Sequence, residues 1–368
     1  MTELEALVTL NQIPKVGPIT IRALIDSFGS ALDALSASLS QIQEVKYCHG
    51  SVGERIANWK SFTNTGKEIE ECEKHDIQII TPNSMHWPSG LSDLKDEPVL
   101  LYVKGTLEAQ DNQAVAIIGS RKTTNYGRVV TSKITKELAS SGHPIISGLA
   151  LGIDTIAHTS ALEIGQRTIA VLGSGLGHLY PKKNQKLSTE ITENVSVVSE
   201  YPLFTHPDRQ TFPQRNRIVA AWAKATLVTE MPKKSGAMIT ANYARNLSRE
   251  VFAVPGPIDR PSSEGCHLLI NQGATLTTHG SQVSQALSPA PTQLDFDLEA
   301  IQFTQSPQPT LTTVELKLYN CLNSVEQTVE ELHIETEIPI QELTTALMSL
   351  ELQDLAQQHA GMSYTRIK

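Results

Sequence analysis

From Ile77 onward, short apolar runs alternate with helical stretches of mixed polarity, with most runs roughly 25–30 residues apart, the spacing of repeated strand–helix–strand units. The strand candidates are Val99–Val103, Ala114–Gly119, Pro144–Gly148, Thr168–Gly173, Val195–Ser199, Ala225–Thr229 and Glu250–Val254. Each is short, apolar or β-branched, and most end in Gly or Ser. Runs that are apolar on both faces suit a sheet covered on both sides, so the pattern predicts a parallel sheet with helices on either face.

The flanks read differently. Residues 1–67 are short helical stretches broken by Gly and Pro, and Ile13–Ile25 looks like a helix-hairpin-helix turn feeding an amphipathic helix. Pro18 removes one of the N–H donors such a turn offers a phosphate, and the segment is acidic, so packing is favoured over DNA clamping. Residues 68–287 hold the strand–helix repeats. Residues 288–310 are rich in Pro, Gln, Thr and Ser, a linker composition. Residues 311–368 hold Glu330–Leu332 and Leu343–Leu352 as a helix-turn-helix pair, with a terminal strand at Ser363–Ile367, a winged-helix-like order. Gln341–Asp354 contains no Lys or Arg, so this recognition helix suits a protein contact better than a phosphate backbone.

Charge sharpens the picture. The 368 residues sum to a formal −9, but residues 1–112 carry −7, residues 113–280 carry +7 and residues 281–368 carry −9. A basic middle between acidic ends suits a polyanion at the centre, or basic residues dispersed over solvated helix faces. Four scattered cysteines without a CxxC pair read as buried fillers in a reducing cytoplasm. No apolar run reaches the roughly 20 residues that span a bilayer, and no secretory signal is visible, so a membrane partner is not expected.

In an open parallel sheet, ligands gather where strands end and helices begin. Three such ends are loaded here. Gly119-Ser120-Arg121-Lys122 combines close backbone approach, a hydroxyl and a guanidinium fork. Ser147–Asp154 leads to His158. Gly173-Ser174-Gly175 is followed by Tyr180, Lys182 and Lys183. Phe212-Pro213-Gln214-Arg215-Asn216-Arg217 places two arginines near a helix start, where the dipole disfavours them unless an anion is also present. With Phe212 and Tyr180 to stack on bases, the set fits single-stranded nucleic acid; ion pairs from the arginines to Glu200 or Glu230 are the plainer alternative. Neither GxGxxG nor a Walker A sequence is present, so no nucleotide cofactor is expected. Asp154 and His158 are spaced to meet on a helix, but without a GxSxG elbow they read as a buried structural pair. His158 lacks metal-ligand spacing, and no metal is expected.

Ile117–Arg121, Ser147–His158, Ala170–Gly175, Tyr180-Pro181, Ser199–Pro202, Phe212–Ala220, Ser235-Gly236, Arg249–Pro257 and Leu269–Ala274 resemble, block by block and in order, the DNA-processing protein A (DprA, or Smf) family. The resemblance spans about Val99–Thr278. It implies an extended Rossmann fold, single-stranded DNA binding without catalysis, self-dimerisation and loading of the RecA recombinase in natural transformation. The DNA site it implies uses Arg121, the Gly173-Ser174-Gly175 loop, Lys182 or Lys183, and Arg215-Asn216-Arg217. Gly177 stands where the family often has Asp or Asn. A nucleotide or phosphoribosyl hydrolase with Glu230 as its catalytic carboxylate is the competing reading.

Overall fold

Serine, threonine and glycine punctuate the N-terminal helices. Thr2 closes a capping box on α1 (Glu3–Gln12), Gly17 precedes Pro18 at the start of α2 (Pro18–Phe28), and Gly29 ends α2 at φ 93°. Ser30 caps α3 (Ala31–Ser36) and Ser38 boxes α4 (Leu39–Glu44), before α5 (Ser51–Ala57) and α6 (Thr65–Lys74). Leu10, Ile21, Leu24, Ile42 and Ile56 on these helices share one buried cluster with Ile77, Leu100 and Tyr102 of the adjoining sheet. The computed structural model describes residues 1–288, 311–323, 326–353, 355–359 and 362–367. It forms two compact units, Met1–Thr292 and Gln293–Lys368.

The first unit is built on nine strands: β1 (Ile77–Ile80), β2 (Leu101–Gly105), β3 (Val115–Ile118), β4 (Ile145–Ser147), β5 (Thr168–Val171), β6 (Ser196–Ser199), β7 (Ala225–Val228), β8 (Glu250–Ala253) and β9 (Thr275–Leu276). Their order is β1-β2-β6-β5-β4-β3-β7-β8-β9. From β6 to β9 all pairings are parallel, whereas β2 runs antiparallel to both β6 and β1. The sheet is therefore mostly, not wholly, parallel. A buried apolar run such as β2 reveals that both faces are covered but not which way the strand points.

Alternation along the strands feeds two cores. Val115 and Ile117 pack with Ile134, Leu138 and Ala157, on the side of α7 (Asn125–Ser140) and α8 (Ile153–Leu162). Ala116 and Ile118 pack on the other side with Ile218, Trp222 and Ala241, from α10 (Thr211–Trp222) and α11 (Gly236–Asn246). Leu187 and Ile191 of α9 (Gln185–Asn194) cover β5 and β6, and α12 (Glu264–Asn271) and α13 (Gly280–Leu287) complete the layers. Each fully buried aliphatic side chain contributes about 1.5–3 kcal/mol. The chain winds outward from β3 to β6 and then returns to add β7 on the other flank of β3. That reversal opens a crevice at the carboxyl ends of β3, β4 and β7.

In the second unit, α14 (Thr313–Cys321), β10 (Gln327–Thr328), α15 (Val329–Thr336), α16 (Ile340–Leu352), β11 (Ala356–His359) and β12 (Ser363–Arg366) form a winged helix. The three strands pair antiparallel in the order β10-β12-β11, over a core that includes Leu318, Leu332, Leu347 and Tyr364. The linker expected over residues 288–310 lies, apart from Ser288, outside the described residues. Cys48, Cys72 and Cys266 are buried free thiols and Cys321 is half-buried.

Candidate nucleic-acid interface

The loop leaving β3 is shaped by backbone against backbone. A Cβ on Gly119 would stand 2.6 Å from the Glu230 carbonyl oxygen, and one on Gly152, at φ 86°, would stand 2.2 Å from that of Ser120. Ser120 N donates to the Glu230 carbonyl and Ile153 N to the Ser120 carbonyl, so three loops interlock. The Ser120 hydroxyl, itself buried, accepts from Lys122 N at 3.1 Å and donates to the Lys122 carbonyl at 2.7 Å. This local turn leaves Arg121 and Lys122 exposed at the crevice.

Beneath them, Asp154 at the start of α8 accepts from Gly148 N at 3.1 Å and Ala150 N at 3.3 Å, fixing the loop after β4. Asn184 holds the same loop from the far side, donating to the Leu149 carbonyl and to Thr155 Oγ1. Arg215 reaches from α10 into the floor and donates to the carbonyls of Gly148 (2.7 Å) and Val171. Burial lowers the Arg215 pKa to about 10, with Asp154 opposing and Arg121 assisting. Burial likewise raises Asp154, against Arg215 and the loop amides. Arg215 thus joins the ends of β4 and β5 and brings positive charge beneath Arg121.

The loop after β5 carries an aromatic wall. Phe212 lies so close to Gly173 that a Cβ there would be 2.8 Å from its ring. The Arg121 guanidinium sits over the Phe212 ring at 5.5 Å, and Tyr180 stands 5.5 Å away at 52°. Ser174 is buried and donates to the His178 carbonyl, shaping its loop. Gly175 N donates to the Thr205 carbonyl, stitching that loop to the one after β6. Lys182 and Lys183 open a short helical turn before α9 and are exposed.

A cleft of about 600 Å³ runs from this loop cluster to the start of α11, lined among others by Arg121, Lys122, Asn216, Lys234 and Ser235. Ser235 caps α11, and Asn216 Nδ2 donates to the Gly236 carbonyl at 3.4 Å. Among the described residues, Arg121, Lys122 and Lys234 form no ion pair, whereas Arg22, Arg167, Arg217 and Arg249 each do. Lys234 is a cleft residue that the sequence reading missed; its signal was a Lys pair directly before a capped helix.

Not every expected site residue meets the cleft. Arg217 turns to the other side of α10, where Nε donates to Asp96 at 2.7 Å and Nη2 to Glu200 at 2.6 Å. Burial opposes its charge, but the two carboxylates outweigh burial and hold its pKa above the ordinary arginine value. Asp154 and His158, expected to pair with each other, do not. At the first turn of α8 Asp154 folds back onto its own loop, while His158, one turn on, bonds Thr168 Oγ1 at 2.7 Å. Burial, helped by the Arg215 charge, lowers His158 to about 3. Glu230 accepts from both Thr124 N and Thr124 Oγ1 and so anchors the start of α7. Ser147 donates to the Ile117 carbonyl. No nucleophile meets a base in this set. Among the described residues, no three His, Cys, Asp or Glu side chains are placed to hold a metal, and no helix is long and apolar enough to cross a membrane.

This arrangement has counterparts. Residues 78–288 match the family model of DNA recombination-mediator protein A, and residues 303–362 match that of the DprA winged helix domain. The chain is 33% identical to Protein Smf of Synechocystis over 97% of both chains. It is 43% identical to DNA processing protein DprA of Streptococcus pneumoniae over 54% of this chain and 70% of that one. The X-ray structure of the pneumococcal protein superposes with a TM-score of 0.68 at 33% identity, covering 77% of this chain and 98% of that one. DNA processing protein A from Helicobacter pylori, solved for its single-stranded DNA binding mode, superposes with a TM-score of 0.52 at 32% identity, covering 57% and 95%. By sequence over 97% of its length, by both family models and by a fold match over 77% of the chain, it belongs to the DNA recombination-mediator protein A (DprA/Smf) family.

Proposed function

We propose that the cleft at the carboxyl ends of β3, β4 and β7 binds single-stranded DNA, and that the chain acts there as a mediator without turning its ligand over. The observation that carries this is the convergence of Arg121, Lys122 and Lys234, unpaired, beside an aromatic wall of Phe212 and Tyr180. Cations without carboxylate partners suit phosphodiesters. Ring faces beside them suit unstacked bases, which a duplex does not offer. Gly119 and Ser120 line the cleft, Gly173, Ser174 and Gly175 build the loop beside the aromatic wall, Lys182 and Lys183 extend the positive field, and Asn216 lines the cleft while its amide ties Arg215 to the Gly236 carbonyl. Arg215 serves as a floor that positions the strand ends, and Arg217 as a structural ion-pair partner. A hydrolase using Glu230 fits less well, since both carboxylate oxygens are engaged by Thr124.

Family membership supports the remaining parts of this reading: a RecA recombinase and a second copy of the chain as partners, the cytoplasm as compartment, and recombination or natural transformation as the process. The test is fluorescence anisotropy of a labelled single-stranded oligonucleotide against duplex competitor. Tight, salt-sensitive binding that single strands displace and duplex does not is expected. A folded sample that binds no oligonucleotide at low salt refutes the reading.

A further inference from the structure

The loops leaving β5 and β6 carry a second group of rings, two residues before Tyr180 on one loop and six or more before Phe212 on the other. His178 stacks on His206 with centroids 3.9 Å apart and planes 22° from parallel, and Phe204 meets His178 edge-on at 6.1 Å and 72°. These rings are held firmly. Gly175 N donates to the Thr205 carbonyl at 2.9 Å, Gly177 N to the Leu203 carbonyl at 2.8 Å, and His178 N to the Gly175 carbonyl at 3.0 Å. A Cβ on Gly175 would stand 2.1 Å from the Pro202 carbonyl oxygen, and one on Gly177 3.0 Å from the Phe204 ring. Both glycines are thus needed for the two loops to touch. Gly177 is what lets Phe204 lie over the loop.

The rings are presented to solvent: Phe204 is 45% exposed, and His206 is exposed too. Lys182, Lys183 and Arg209 lie on the same stretches and form no ion pair among the described residues. Of the carboxylates nearby, Glu200 is paired with Arg217, and Asp208 accepts from the backbone N–H of Gln210 and stands as one exposed negative charge among these three cations. Pre-stacked rings of which two are exposed, flanked by unpaired cations, are what a strand of unstacked bases binds without regard to sequence. The loop from Gly173 to Pro181 carries His178 as well as Tyr180, and the loop after β6 that carries Phe204 and His206 leads on to Phe212, so one strand can pass from one group to the other.

We propose that His178, Phe204 and His206 form a second base-stacking platform, extending the single-stranded DNA track beyond Phe212 and Tyr180. This rests on the reading of the cleft as a single-stranded DNA site. The experiment compares wild type with Phe204→Ala/His206→Ala, using thymidine oligonucleotides from about 4 to about 16 nucleotides, the span of known site sizes. Short oligonucleotides should bind both proteins equally, while the longest should bind the variant roughly ten-fold more weakly, the loss of about one stacked base. Phe204→Tyr/His206→Tyr, which keeps the rings, should restore the long-oligonucleotide affinity. Unchanged affinity at every length in the folded Ala variant overturns the platform while leaving the cleft reading intact. Equal loss at all lengths, with a shift to a smaller species in sedimentation, also overturns it by making this surface a contact between copies. Absence of any binding by wild type fells the cleft reading itself.

Discussion

Arg217 and Arg215 are two residues apart on one helix, yet Arg215 enters the cleft floor while Arg217 is buried among carboxylates on the other side. Arg217→Ala removes a guanidinium that is 4% exposed and bonded to Glu200, itself 8% exposed, and to Asp96, which is 38% exposed. Asp96 can turn to solvent; Glu200 is left as a buried charge without its partner. Breaking a buried pair by removing one member costs about 3–5 kcal/mol. For a domain of this size each kcal/mol moves the melting midpoint by about 2–4 °C, so the loss should lie between about 6 and 20 °C. Removing the charge as well, in Arg217→Met/Glu200→Gln, should recover a large part of it. The assay is thermal unfolding of the first unit's transition, paired with oligonucleotide anisotropy at a temperature where the variant is folded. The account expects a large drop in midpoint and nearly wild-type affinity. A midpoint within a degree of wild type, with affinity lost ten-fold or more, would refute the structural assignment and return Arg217 to the DNA site.

Other perturbations follow from the same geometry. Phe212→Ala should weaken single-strand binding by about 1–3 kcal/mol, seen in anisotropy, whereas Phe212→Trp should hold it. Gly152→Ala puts a Cβ 2.2 Å from the Ser120 carbonyl oxygen at a φ of 86°, so it should lower both midpoint and affinity by displacing the Arg121 loop. His158 titrates near 6.5 unfolded but is depressed to about 3 in the fold. Its contribution is therefore fully present above pH 6.5 and is lost as pH falls from 6.5 towards 3. At pH 5 the loss is about 2 kcal/mol, and His158→Gln should flatten the denaturant-measured stability between pH 7 and 5 by about that amount.

Much of the fold was legible because glycines and serines end the strands. Gly119, Gly148 and Gly173 each follow a run that the structure builds as β3, β4 or β5. The winged helix was legible for a similar reason: two helical runs precede a terminal strand. The antiparallel edge was not, because the burial of β2 by the N-terminal helices looks in sequence like burial within a parallel sheet. Within the site, residue types pointed to the right loops but not to the direction of each side chain. Residues two apart on a helix do not share a face, which separates Arg215 in the cleft from Arg217 among carboxylates. Lys234 escaped notice because it enters the cleft only once β7 is placed beside β3, a long-range pairing that no local pattern records. Asp154 and His158 had helical spacing, but the loop amides and Thr168 compete for them and win.

The central claim is that Arg121, Lys122 and Lys234 meet phosphates of a single strand. Each phosphate neutralised on a single strand contributes about 0.7 to the slope of log affinity against log salt. The direct measurement is that slope for wild type and for Arg121→Ala/Lys122→Ala/Lys234→Ala, with circular dichroism confirming the fold. The account predicts a slope shallower by about 2 in the variant, with affinity falling most at low salt. A folded triple variant that keeps the wild-type slope and affinity would contradict it and place the DNA elsewhere on the molecule.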